Sequence, residues 1–115
     1  MSLRKKQSEF NKCLALLVIY AEVKGYELTR GDGFRDSRVH GHFGVKVGYG
    51  ARWSCHKIRL AQDLNLFIDG IYIIDGRHPA YIDLGTFWKR LHPLARWGGD
   101  FKDANHFSFE HKGHQ

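Results

Sequence analysis

Near the start of the chain, apolar residues recur at three- and four-residue steps. Phe10, Leu14, Leu17, Val18 and Ala21 make one stripe, which predicts a helix from about Ser8 to Lys24 with that stripe against a core. Gly25 supplies its stop. Cys13 sits beside the stripe and reads as a core thiol. Tyr26 to Thr29 is a short strand candidate. From Gly31 to Gly50 the pattern gives way to a glycine-rich, irregular stretch with turns and a short strand near Val45 to Val47. Asp63 to Ile68 and Ile71 to Ile74 then flank Asp69-Gly70, the pair favoured in a two-residue type I′ turn, and together predict a hairpin. Tyr81 to Leu91 reads as a helix that Pro93 ends. Phe107 and Phe109 alternate with His106, Ser108 and Glu110 as a last strand. Helix, strands, helix and strand in this order make an α+β class: an antiparallel sheet with helices packed on it.

Length and composition narrow the picture. The 115 residues suit one domain, residues 1–115, and are too few for two. A hydrophobic content of 43% allows a real core and excludes wholesale disorder. Lysine and arginine number 18 against 12 acidic residues, a net charge of +6, which draws anionic partners such as nucleic acid, anionic lipid or a bacterial envelope. Beyond the cluster Arg4, Lys5 and Lys6 the basic residues are dispersed, so charge alone does not choose among these. The two cysteines, Cys13 and Cys55, form neither a disulfide framework nor a CxxC zinc clasp. The longest apolar run, Cys13 to Ala21, is far short of the roughly 20 residues of a membrane span, so no transmembrane segment is expected. The start of the chain has no apolar signal core followed by a small-residue cleavage site. The expectation is a protein folded in a cytoplasm, which something else must release if it works on a cell wall.

Eight histidines raise the prior for metal or acid–base chemistry. A catalytic zinc takes three protein ligands, commonly histidine and carboxylate, an open position for water, and a nearby acid or base. Two segments can supply these parts. In Ser54-Cys55-His56 through Asp63, a loop return would bring His56, just before the predicted strand, to Asp63 at its opening. In Trp97 through Phe107, Asp103 lies in the turn before His106 on the predicted last strand. Taken singly, each has an ordinary structural reading: an exposed His56, an Asp63 that caps a strand end, and Asp103 as a common turn residue.

Together they form a pattern. Ser54-x-His56-x(4)-Ala61-x-Asp63-Leu64, followed by Trp97-Gly98-Gly99 and Asp103-x-x-His106-Phe107, resembles the LAS-type zinc peptidases. These include D-alanyl-D-alanine carboxypeptidases and dipeptidases and the L-alanyl-D-glutamate endopeptidases of bacteriophages. The resemblance runs from about Gly31 to Glu110. The small size, Leu60-Ala61-Gln62-Asp63-Leu64-Asn65-Leu66-Phe67 and the tryptophan-glycine-glycine segment are most like the endolysin branch. The resemblance implies a zinc site in a cleft with His56, Asp63 and His106 as ligands and Asp103 as catalytic carboxylate. It also implies that Arg35, in Gly33-Phe34-Arg35, helps bind the substrate carbonyl or carboxylate. Ser54, at the motif serine, would orient the substrate or the ligand loop. One departure is Arg59, where the common pattern has glycine.

The implied activity is hydrolysis of the L-alanyl-D-glutamate bond in peptidoglycan stem peptides, at the wall in the periplasm, by a monomer with no nucleic-acid partner. An anionic envelope surface would suit its charge. The alternatives are D-alanyl-D-alanine hydrolysis and a non-enzymatic basic module that binds an envelope or nucleic acid. His40 and His42 could clip a second metal, but in a glycine-rich loop they read as solvated. His78, His92, His111 and His114 read as exposed. Trp53, Trp88 and Trp97 read as core or cleft-wall residues. Cys55 beside His56 is poorly placed for a thiol nucleophile, because neighbours in extended chain point to opposite sides.

Overall fold

The computed structural model describes residues 1–33, 43–44 and 53–115. Helix α1 (Leu3–Lys24) starts ahead of the expected Ser8, because Ser2 caps it: its Oγ accepts from Lys5 N at 3.1 Å. The apolar stripe gave no hint of this first turn, which carries the basic cluster Arg4, Lys5 and Lys6. The helix buries Phe10, Cys13, Leu14, Leu17 and Ala21, while Val18, assigned to the stripe from its spacing, is exposed. Gly25 ends it in the left-handed region at φ 80°, its N–H reaching Ala21 O and Glu22 O.

Among the described residues, five strands form one antiparallel sheet. Strand β2 (Ala61–Ile68) lies at its centre, with β1 (Glu27–Arg30) paired as Leu28 to Leu66. The Asp69-Gly70 turn has positive φ at both residues, 52° and 77°, as a type I′ hairpin requires, and leads into β3 (Ile71–Tyr72). That strand stops short of the expected Ile74. Helix α2 (Pro79–Leu91) starts two residues before the expected Tyr81, with Pro79 in its first turn and His78 Nδ1 accepting from Ala80 N at 3.0 Å. Strand β4 (Ala95–Trp97), which three residues of sequence were too few to signal, pairs with β5 (His106–Phe109). Strand β5 pairs in turn with β2, giving the order β1-β2-β5-β4. Helices α1 and α2 each contribute to the core that contains Leu64, Leu66, Phe107 and Phe109. Trp88 is fully buried there, its Nε1 donating to Arg96 O and Ser108 O. Among the described residues, no helix is long and apolar enough to cross a membrane.

Asp83 ties the end of α1 to α2. Its carboxylate accepts from Tyr20 and Tyr26 hydroxyls at 2.5 and 2.8 Å and lies 3.5 Å from Lys24 Nζ. Burial alone would raise its pKa, but the tyrosine hydrogen bonds and Lys24 outweigh that and hold it below the ordinary carboxylate value. Asp83→Ala should cost about 1.5–3 kcal/mol at neutral pH, the usual worth of hydrogen bonds to a charged group. A folded-state pKa below the unfolded one means the contribution is present above the ordinary carboxylate pKa. It is lost as pH falls through the lowered value. Urea unfolding of parent and variant at neutral and acidic pH should show the gap closing in acid.

Candidate metal centre

The first segment of the site is a short 3-10 turn, Cys55–Ile58. Ser54 caps it, its Oγ accepting from His56 N at 3.2 Å. Of the two roles suggested for Ser54, this geometry supports orientation of the ligand loop. Arg59 closes the turn at φ 57°, in the left-handed region. Glycine enters this region freely, whereas arginine pays about 1–2 kcal/mol. The Arg59 side chain is exposed. Leu60 is fully buried and donates its N–H to Cys55 O at 2.9 Å, anchoring the turn from below.

Asp63 lies within β2 instead of opening it, because the strand starts at Ala61. In β2 it is paired in register with His106 of β5, so the sheet itself brings these two side chains together. Asp63 main chain also holds the incoming loop: its N–H donates to Asp32 O at 2.7 Å and its carbonyl accepts from Gly31 N at 2.8 Å.

His56, Asp63 and His106 converge, with one potential ligand atom from each lying within 4.8 Å of the others. Asp63 Oδ1 is 3.3 Å from His56 Nε2 and 3.2 Å from His106 Nδ1. Both histidines are buried, contrary to the exposed alternative for His56. The far nitrogens settle which atoms face inward. His56 Nδ1 is 2.7 Å from Gly33 O and His106 Nε2 is 2.7 Å from Gln115 O. A carbonyl oxygen can only accept, so each of these nitrogens carries a proton. In the neutral ring, His56 Nε2 and His106 Nδ1 then turn lone pairs toward the Asp63 carboxylate. His56 Nε2 is buried without an aligned hydrogen-bond partner, although it lies at ion-pair distance from Asp63. Three acceptors directed at one point suit a cation, and backbone acceptors on the outer imidazole nitrogens are the usual support of metal-ligating histidines. The group could hold a metal ion. Without a cation, protons on the inward nitrogens take its place: burial would raise the Asp63 pKa, but hydrogen bonds and charge from His106 and His56 in that form prevail and bring it down to about 2.

Three supporting residues were not recognised from sequence. Gly33 supplies the acceptor for His56. Gln62, buried on β2, donates through Nε2 to Gly31 O and Asp32 O at 3.3 and 3.2 Å, fixing the loop that carries Gly33. It stood in the quoted Leu-Ala-Gln-Asp run without an assigned role. Gln115 supplies the acceptor for His106, and nothing in its sequence position signals that.

The Trp97-Gly98-Gly99 segment builds the turn before His106. Trp97 Nε1 donates to Ala104 O at 2.7 Å, and Asp103 N donates to Gly98 O at the same distance. A Cβ on Gly98 would lie 2.0 Å from Asp103 O, so only glycine allows this approach. Asp103 O accepts from His106 N at 3.0 Å, and its side chain is exposed and outside the converging group. Asp103 lines a cleft of about 430 Å³ with Tyr72, Arg77, Tyr81, Lys102 and Asn105 among its neighbours. None of the three converging side chains lines it. The cleft meets the site at the turn that leads into His106.

Arg35, His40, His42 and the strand expected near Val45 to Val47 lie outside the described residues. The other histidines are not the exposed side chains expected. His92 Nε2 is 3.0 Å from Glu9 Oε2, and its ring stacks on Phe109. His111 Nδ1 accepts from Lys6 Nζ at 3.1 Å, and His114 stacks on Trp53 at 4.7 Å between centroids. Trp88 and Trp97 are buried as expected, but Trp53 is about half exposed. Cys55 is fully buried, and burial pushes its thiol up to about 12. Burial likewise raises Cys13. Both should therefore resist alkylation by iodoacetamide at pH 8 in the folded protein and react after denaturation. Rapid labelling of native Cys55, followed by mass spectrometry, would contradict this.

Comparison with protein-family models and with curated proteins finds no match to the chain.

Proposed function

We propose that the protein is a zinc-dependent peptidoglycan endopeptidase that cuts the L-alanyl-D-glutamate bond of stem peptides. The observation that carries this reading is the convergence of His56 Nε2, Asp63 Oδ1 and His106 Nδ1, with both outer imidazole nitrogens held by main-chain oxygens. A neutral two-histidine, one-carboxylate set suits zinc and leaves room for a fourth, exchangeable position. Zinc held there would act as a Lewis acid on the scissile carbonyl and lower the pKa of coordinated water toward about 7.

The chain's own groups supply the rest. Asp103, exposed in the turn that delivers His106, takes the proton of the attacking water and passes it to the leaving amine. Arg77 and Lys102 line the cleft next to Asp103, where cations would hold the free carboxylates of a stem peptide. Arg35 is assigned a similar role, by resemblance. The +6 charge favours approach to an anionic wall. The reading places the protein's work in the periplasm, on a wall reached after release.

Mass spectrometry of the fragments released from purified peptidoglycan tests the bond assignment. New alanine carboxyl ends paired with new glutamate amino ends are expected. Release of terminal D-alanine alone would favour the carboxypeptidase alternative. Salt-sensitive retention on the wall without any fragment would favour a non-enzymatic module.

A further inference from the structure

The last five residues of the sequence fold into a device of their own. His111 and His114 form a two-way bridge, with N–H to carbonyl distances of 2.8 and 2.9 Å. Lys112 and Gly113 between them both have positive φ, 51° and 81°, the signature of a tight type I′ turn. The turn is fastened at several points. Lys6 Nζ donates to His111 Nδ1, Cys55 Sγ contacts His114 O at 3.5 Å, and the His114 ring lies flat on Trp53. Cys55 and Trp53 flank the ligand segment at His56, so the turn leans on the same loop that presents a metal ligand. Its product is the placement of Gln115 O at 2.7 Å from His106 Nε2.

We infer that the His111–Gln115 turn positions His106 for metal binding, with the Gln115 main-chain oxygen as its orienting acceptor. This rests on the metal reading of the His56, Asp63 and His106 group and extends it. His106 comes from a strand that fixes its backbone but not the rotation of its ring. Acceptance of the Nε2 proton holds the ring in one orientation with Nδ1 toward Asp63, so that a metal ion entering there would meet the Nδ1 lone pair. Gln115 contributes through its main chain, so its side-chain identity is immaterial. The shape of the turn is what matters. Gly113 is exposed and nothing lies within 4 Å of a Cβ there, so a substitution acts through backbone conformation alone. A β-branched residue is strongly disfavoured at its φ.

The test compares the parent chain with Gly113→Val and Lys112→Asn. The first opposes the turn and the second favours it. Zinc affinity is measured by competition with a chromogenic chelator. The His106 tautomer is read from imidazole nitrogen shifts in the zinc-loaded protein. Gly113→Val should bind zinc about 10–100-fold more weakly, the usual cost of losing such a support. Its His106 should lose the single Nε2-protonated form while its thermal unfolding stays cooperative. Lys112→Asn should match the parent in both readouts. Parent-like affinity and tautomer in a Gly113→Val protein whose His111–His114 bridge is lost would overturn the inference and leave the metal reading standing. A parent that binds no zinc would overturn the metal reading and this inference with it.

Discussion

Alanine at any one of His56, Asp63 or His106 is expected to remove stoichiometric zinc and hydrolytic activity together. Each supplies one of the three converging ligand atoms found among the described residues, and a two-ligand remnant cannot hold the ion against dilution. The loss should exceed the ~10–100-fold cost of disturbing a supporting hydrogen bond, because a ligand itself is gone. The fold should survive in each case. Asp63 is held in β2 by main-chain bonds to Gly31 and Asp32, and His56 sits in a turn capped by Ser54 and anchored by Leu60. Elemental analysis after exhaustive dialysis, alongside circular dichroism, decides the matter. A variant that keeps full zinc would remove its residue from the site.

Asp103→Asn should separate chemistry from metal holding. The carboxylate is exposed, outside the ligand group, and attached to a turn held by main-chain bonds to Gly98 and His106. Asparagine keeps the shape and the turn but not the basicity. Zinc content and substrate binding should match the parent while turnover falls by about 10²–10⁴, the range for general acid–base catalysis. Parallel measurement of zinc and peptide hydrolysis distinguishes the outcomes. Loss of both together would make Asp103 a structural residue of the turn. Unchanged turnover would assign the base elsewhere, with Glu110 next to be examined.

The parts of this arrangement that sequence could reveal are those with a local signature. Helix α1 showed its apolar spacing, the β2–β3 hairpin its Asp69-Gly70 turn, and the three candidate ligand positions a spaced motif, of which the sheet register brings Asp63 and His106 together while the 3-10 turn delivers His56. What stayed hidden depends on contacts between distant segments. Strand β4 is too short for periodicity, and its place beside β5 is set by pairing. The supports at Gly33 and Gln115 act through main-chain oxygens, which leave no mark on residue type. His92 and His111 looked like solvated loop residues because Glu9 and Lys6, their partners, are far away in the chain. Arg59 gave no sign of its left-handed backbone, which arginine side chains do not signal.

The most direct test of the central claim is metal-dependent bond cleavage by one preparation in three states. Purified protein is incubated with peptidoglycan as isolated, after a chelator has stripped its metal, and after zinc is restored. Release of new amino ends should be present, then absent, then present again, with zinc near one per chain in the active states. Undiminished release from protein that elemental analysis shows to be metal-free would contradict the assignment of His56, Asp63 and His106 as a catalytic zinc site.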